Sequence, residues 1–369
     1  MNIDLNKYLG NHSQGYVIKT LEMKDGAPFV NTLVKGYASV EPKKIKLEEE
    51  FLFDIASLTK FIMAMIIYKS VQDGLISLNS KITDIEPKFN KLDNITILDL
   101  LSHRQEIWTE GYLGNYQTKE EFQKIIYTAY VKTNDRKYVD VHYIILGMLL
   151  EKIYKKNLEE ILKEQIVKPL NLMNTTYNPL TNKIVSNNYD YTTKFFGMDK
   201  GAILDFIYPG IPHDNKANIA KKTGLFLAHA GIFTTANDML KILSCLIDGQ
   251  ELLLNKETIN MMFKHDDINL LNMKRTSEKL TPFITYNYCG TRYKNNISQL
   301  NDIPKSSSEN AITFSGYTGP IFLVDFTKRI IILVMSNVCH LSEMERHDRK
   351  DISVQIVEDI YEDITKVRK

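Results

Sequence analysis

The sequence predicts an α+β fold, an antiparallel sheet built from both termini and flanked by helices, with a mainly helical region inserted into it. Three observations carry this expectation. Runs rich in Val, Ile, Thr and Tyr lie near the start, short β-type runs return after residue 310, and helical patterns fill most of the chain between them. The expected division places 1–75 and 301–369 in a discontinuous sheet domain and 76–300 in a mainly helical domain, with the active site between them. A length of 369 residues suits two domains or one large one.

Taken in order, Gly15–Leu21 and Phe29–Tyr37 read as two antiparallel strands around the turn signal Lys24-Asp25-Gly26. A long helix is expected from Ser57 to about Val71, stopped at Asp73-Gly74. Its stretch Phe61-Ile62-Met63-Ala64-Met65-Ile66-Ile67-Tyr68 is far shorter than the ~20 residues that cross a bilayer, so it reads as a buried core helix. Further helical patterns fall at Ile97–Ser102, Lys119–Tyr130, Asp140–Tyr154, Leu158–Ile166 and Asn237–Ile247. Tyr189–Lys222, with its Asp, Asn, Pro and Gly, reads as a long irregular loop, and such loops are often functional. Strands at Ala311–Ser315, Ile321–Asp325 and Ile330–Met335 and a helix at Asp351–Val367 complete the chain.

Composition excludes several classes. With 44% hydrophobic and 25% charged residues, 17 Gly and 10 Pro, the chain is neither collagen-like, disordered nor a coiled coil. A net charge of +1 gives no whole-chain attraction to nucleic acid or anionic membrane, and neither is expected as a partner. Three cysteines, Cys245, Cys289 and Cys339, without CxxC spacing, argue against a disulfide framework and a thiolate zinc site. The first residues lack the basic and apolar regions of a signal peptide, so a cytoplasmic location without a membrane anchor is expected.

Chemistry enters at Phe53-Asp54-Ile55-Ala56-Ser57-Leu58-Thr59-Lys60. Ser57 and Lys60, at i and i+3, share one face at the start of an apolar helix, where free backbone N–H groups and the helix dipole favour developing negative charge. In a largely apolar setting Lys60 is expected to lose its charge readily and so to accept the Ser57 proton. The competing reading makes Ser57 an N-cap and Lys60 a solvated lysine. Against it, Lys60 heads a helix that looks buried on all sides, and a buried lysine needs a reason.

Here the chain resembles the serine β-lactamase and penicillin-binding-protein superfamily, in its class C and esterase branch, whose first motif is Ser-x-x-Lys. Other segments follow in the family's order. Ile97-Leu98-Asp99-Leu100-Leu101-Ser102-His103 resembles "LLxHxSG". Tyr138-Val139-Asp140 resembles the second motif, Tyr-x-Asn, with Asp140 in place of Asn. His213-Asp214-Asn215 and Ala228–Ala236 resemble "HDxNA" and "GHAGLFSTA". Gly316-Tyr317-Thr318-Gly319 resembles the third-motif strand. The likeness runs from about residue 15 to residue 365 and implies a β-lactamase-like fold.

It also implies roles. Ser57 attacks an ester or amide carbonyl and forms an acyl-enzyme, while Lys60 and Tyr138 share general-base work. A phenol with an ordinary pKa near ~10 acts as a base only beside a cation, which Lys60 supplies. Asp140 orients Lys60 and substrate, either as a carboxylate that holds Lys60 charged or as a neutral acid that imitates Asn; an N-cap role remains open. The backbone N–H groups of Ser57 and Tyr317 form the oxyanion hole, Ser315 lies on the strand beside it, and Gly316 and Gly319 suit either close backbone approach to a ligand or simple turns.

Two departures bear on substrate. Phe314 stands where the family carries Lys or His, which puts β-lactam and D-Ala-D-Ala substrates in doubt and favours a neutral or differently charged acyl group. Arg104-Gln105-Glu106 replaces a Thr-Ser-Gly sequence. The histidines, including His340-x-x-Glu343-x-x-x-His347, match no zinc motif, so neither metal nor other cofactor is expected. His229 is expected to satisfy local backbone groups, and His213 to border the substrate cleft. The leading expectation is a serine hydrolase or acyltransferase acting on a small-molecule or peptide-like ester or amide through Ser57. The alternatives are a non-catalytic binding protein of this fold, motivated by Phe314 and Asp140, and a penicillin-binding carboxypeptidase or β-lactamase. Substrate identity, the acyl acceptor and oligomeric state lie outside what the sequence gives.

Overall fold

The computed structural model describes residues 3–187, 210–266, 286–293, 303–341, 344 and 346–366. Its elements are β1 (Gly15–Lys24), β2 (Ala27–Ser39), β3 (Ile45–Lys46), β4 (Phe53–Asp54), α1 (Leu58–Gln72), α2 (Ile82–Ile85), α3 (Ile97–Leu101), β5 (Glu106–Trp108), α4 (Lys119–Ile126), β6 (Tyr130–Thr133), α5 (Asp140–Tyr154) and α6 (Leu158–Leu162). There follow α7 (Asn215–Lys222), β7 (Phe233–Thr234), α8 (Ala236–Ser244), α9 (Lys256–Met262), β8 (Arg292–Tyr293), β9 (Ile312–Ser315), β10 (Ile321–Asp325), β11 (Ile330–Ser336) and α10 (Arg346–Lys366).

Seven strands form one antiparallel sheet in the order β3-β2-β1-β11-β10-β9-β8, so the N-terminal hairpin and the C-terminal strands meet at β1 and β11, with Tyr16 opposite Ser336. Alternation along β11 explains its uninterrupted apolar run. Ile330, Ile332 and Val334 pack with Tyr16, Ile18 and α10 residues Val357, Ile360 and Tyr361 on one face. Ile331, Leu333 and Met335 join Val17, Phe322 and the α1 side chains on the other. Helix α1 is buried almost all round, and Phe61 meets Phe322 of the sheet at 4.9 Å between ring centroids. A helix buried on nearly all sides is stable only when neighbours cover it, here the sheet and helices α5 and α9.

The structure alters three sequence expectations. The helix expected over Lys119–Tyr130 stops at Ile126; Thr128 Oγ1 donates to the Ile125 carbonyl, and Tyr130–Thr133 pairs with β5 as a strand. Within the segment expected as irregular, Asn215–Lys222 is helix α7, capped by the Asp214 carboxylate accepting from Ala217 N–H, while 188–209 lies outside the described residues. Helix α10 starts at Arg346 rather than Asp351, across a polar stretch with no apolar period to reveal it. Among the described residues no helix is long and apolar enough to cross a membrane.

Candidate active site

Strand β4 delivers the chain to Ser57 through a strained turn. Ala56 has φ +43°, a left-handed conformation that costs an L-residue roughly 1–2 kcal/mol, and it is held there from below. Asp54 Oδ1 accepts the Ala56 N–H at 2.8 Å, Asp54 Oδ2 accepts the His213 N–H at 2.7 Å, and Thr318 Oγ1 donates to the Asp54 carbonyl at 2.6 Å. One buried residue therefore joins the nucleophile turn, the α7 approach and the β9–β10 turn. Burial raises the Asp54 carboxyl above its ordinary range, against the pull of the two N–H groups. Asp54→Ala leaves both donors without their acceptor and is expected to lower stability by about 2 kcal/mol or more, read as a fall in the urea midpoint. An unchanged midpoint would show that the clamp carries no strain.

Ser57 occupies the N-cap position of α1, yet its side chain makes no cap hydrogen bond. Its Oγ instead accepts from Lys60 Nζ at 3.0 Å. Lys60 is fully buried; Nζ also donates to the His229 carbonyl at 2.9 Å, pairs with Asp140 Oδ1 at 2.9 Å, and stands 4.9 Å from the centroid of the Tyr138 ring. Both the solvated-lysine and serine-cap readings are thereby set aside.

The charge state of Lys60 departs from the expectation. Burial does oppose its ammonium, but the Asp140 carboxylate and then Tyr138 outweigh that, and Lys60 is held above its ordinary pKa. Asp140 in turn is held well below the usual carboxylate range, because Lys60, His229 and Lys216 overcome its own burial. The choice left open for Asp140 is resolved in favour of the carboxylate. Nor is it an N-cap: Val139 takes that position and Asp140 is the first residue of α5.

Lys216 of α7 completes the cluster. Its Nζ lies 3.0 Å from Asp140 Oδ2 and 3.3 Å from Asp214 Oδ2, while His229 Nε2 meets Asp214 Oδ1 at 2.9 Å. His229 thus partners a carboxylate through its ring, not the backbone groups expected of it. Behind Tyr138 stand two fully buried histidines, His103 and His142, joined Nδ1 to Nδ1 at 2.7 Å, with the His103 ring 4.6 Å from that of Tyr138.

An open cavity of about 360 Å3 lies over Ser57, lined by Tyr138, Phe314, Ser315, Gly316 and Tyr317. Gly316 and Gly319 are turn glycines. A Cβ on Gly316 would overlap the Ile55 carbonyl oxygen, and one on Gly319, at φ +122°, would overlap Ser336 Oγ. The close approach that requires glycine is therefore made by the protein's own backbone and side chains. Phe314, opposite Phe322 in the sheet, turns its ring to Tyr138 at 6.4 Å and walls the cavity. His213 is not among the lining residues; its ring stacks on Tyr317 at 5.3 Å and 21°.

Sequence reasoning missed what lies across the cavity, where Arg292 of β8 and Arg349 and Lys350 of α10 line it. The missing third-motif cation therefore does not leave the cavity without positive charge. Arg349 also lies with its guanidinium 5.4 Å from the Tyr317 ring and donates to the Val338 carbonyl at 3.3 Å. Of the proposed histidine group, His340 accepts the Val40 N–H at 3.0 Å, and Glu343 lies outside the described residues.

A family model described as Beta-lactamase matches residues 20–355. Among curated proteins, N-acetylmuramyl-L-alanine amidase of Bacillus subtilis (strain 168) is 24% identical over 335 residues, covering 83% of this chain and 72% of that protein. A putative D-alanyl-D-alanine carboxypeptidase of Salmonella gallinarum is 23% identical over 322 residues, covering 80% and 71%. Among solved structures, unliganded simvastatin synthase (LovD) from Aspergillus terreus superposes with a TM-score of 0.72 at 15% identity, covering 97% of this chain and 96% of that one. D-amino acid amidase from Ochrobactrum anthropi SV3 gives 0.67 at 15% identity, covering 99% and 97%.

Proposed function

This chain belongs to the beta-lactamase family, and from that premise we propose that it is a serine hydrolase acting on a small ester or amide through an acyl-enzyme on Ser57. The observation that carries the reading is the 3.0 Å approach of the buried Lys60 ammonium to Ser57 Oγ at the floor of the cavity. In this reading the site lies between a sheet domain of residues 1–75 and 301–369 and a helical domain of residues 76–300.

Ser57 Oγ attacks the carbonyl carbon as its proton passes to Tyr138, which acts as general base in its phenolate form beside the fixed ammonium of Lys60. The oxyanion is held by the backbone N–H groups of Ser57 and Tyr317. The C–O or C–N bond to the leaving group then breaks, and that group leaves with the proton from Tyr138. Water then gives a proton to the Tyr138 phenolate as it attacks the acyl carbonyl; the bond to Ser57 Oγ breaks, the acid leaves, and Ser57 takes that proton back from Tyr138. Phe314 gives the acyl chain an apolar wall, and Arg292, Arg349 and Lys350 also line the cavity.

Intact-mass spectrometry of the wild type and Ser57→Ala, after incubation with a fluorophosphonate, an activated short-chain ester and a penicillin, tests the reading. An adduct or turnover confined to the wild type is expected with the first two reagents. Equal behaviour of the two proteins with all three would favour a binding protein on this fold.

A further inference from the structure

We infer that Lys216 is a positioning residue that closes a ring of paired charges around Asp140 and thereby fixes Lys60, as an ammonium, against Ser57. The inference deepens the Ser57 acyl-enzyme reading and rests on it. The ring can be followed atom by atom. Lys60 Nζ pairs with Asp140 Oδ1, Asp140 Oδ2 with Lys216 Nζ, Lys216 Nζ with Asp214 Oδ2, and Asp214 Oδ1 with His229 Nε2; the His229 carbonyl accepts from Lys60 Nζ. Every link is between 2.9 and 3.3 Å.

The residues come from four separate parts of the chain, α1, the start of α5, the start of α7 and the segment before β7, so the ring depends on the tertiary fold. The Asp140, Asp214 and His229 ligand atoms lie within 4.8 Å of one another, and the Lys216 ammonium, only 14% exposed, pairs with the two carboxylates. Each of the ring's two carboxylates has an ammonium within 3.3 Å. A buried charge is tolerated when paired, and removing one partner leaves the rest unbalanced.

Without Lys216, Asp140 and Asp214 face each other across the ring with Lys60 as their one ammonium, and like charges at this range favour protonation of one carboxyl. A protonated Asp140 no longer anchors Lys60. The groups facing Asp140 are Lys60 from α1, Tyr138 and His142 at the head of α5, His103 behind them, Lys216 and Asp214 at α7, and His229; Tyr112 faces Lys216 from outside. Lys216 is the one cation among them that touches both carboxylates.

The test is the rate of Ser57 labelling by a fluorophosphonate, in short pulses across pH, in the wild type, Lys216→Met, Lys216→Gln and Lys216→Arg, with circular dichroism at each pH. The wild-type profile sets the reference acid limb. Both neutral variants should label at least tenfold more slowly at pH 7, with an acid limb at least one pH unit above that of the wild type and above their own unfolding, while Lys216→Arg retains the wild-type profile. The glutamine variant decides the matter if the methionine variant does not fold. Neutral variants that label within threefold of wild type with an unmoved acid limb would overturn the inference and leave the Ser57 reading standing. A wild type that is never labelled overturns both.

Discussion

Tyr138→Phe and Lys60→Met should each slow acylation of Ser57 by about 1,000-fold, within the 100- to 10,000-fold range typical of a positioned proton-transfer group. The two losses have different causes. Lys60 enters as an ammonium, paired with the ionised Asp140, and a group already protonated has no lone pair to offer Ser57. Its service is electrostatic: from full burial it directs a proton to Ser57 Oγ and stabilises negative charge on Tyr138, whose ring is 4.9 Å away. In the reading proposed above, Tyr138 as its phenolate is then the group that takes the proton. Removing its hydroxyl alone deletes the base while leaving the aromatic packing against His103 and Phe314 in place. Stopped-flow acylation by an activated ester separates the cases. A Tyr138→Phe enzyme within tenfold of wild type would return the base role to a neutral Lys60.

Much of this site was legible in the sequence because each motif is local. Ser57 and Lys60 share a helix turn, Tyr138 and Asp140 stand at the start of another helix, and Gly316-Tyr317 follows a strand, so each could be matched to a family motif within a few consecutive residues. The sheet built from both termini was legible for a similar reason, since a short β-type run such as β11 is a property of consecutive residues. What escaped depends on distant parts meeting. Lys216 directly follows the His213-Asp214-Asn215 segment, yet nothing local says that its ammonium reaches Asp140 from another helix. Asp54 had one sign, a carboxylate inside the apolar run Phe51–Ile55, but its partners lie far along the chain at His213 and Thr318. The charge on Lys60 was misread because apolar sequence neighbours predict desolvation correctly and say nothing of the counter-ion.

Acid should unfold this protein steeply, with most stability lost between pH 6.5 and 4. Burial holds His12 and His340 down at about 4 and His142 at about 3, and His103 well below its ordinary value. All four are almost wholly inaccessible. The sign follows from linkage. A histidine whose folded pKa lies below the unfolded value of about 6.5 stays neutral in the native state while the unfolded chain binds a proton, so stability falls as pH drops through 6.5. The loss levels off only when the native imidazoles protonate, near pH 4 and below.

Each such histidine costs up to about 1.4 kcal/mol per pH unit, so four acting together remove up to about 5 kcal/mol per unit in that window. Against a typical total of 5–15 kcal/mol, unfolding is expected near pH 5. Asp54 and Glu151, whose carboxyls burial raises, oppose the trend by binding protons in the native state, but they are two groups against four. Urea denaturation at half-unit steps from pH 7.5 to 4.5 measures the slope, and His340→Gln should reduce it by about a quarter. An unfolding free energy constant within 1 kcal/mol between pH 7 and 5 would mean that the buried imidazoles take up protons without losing their packing.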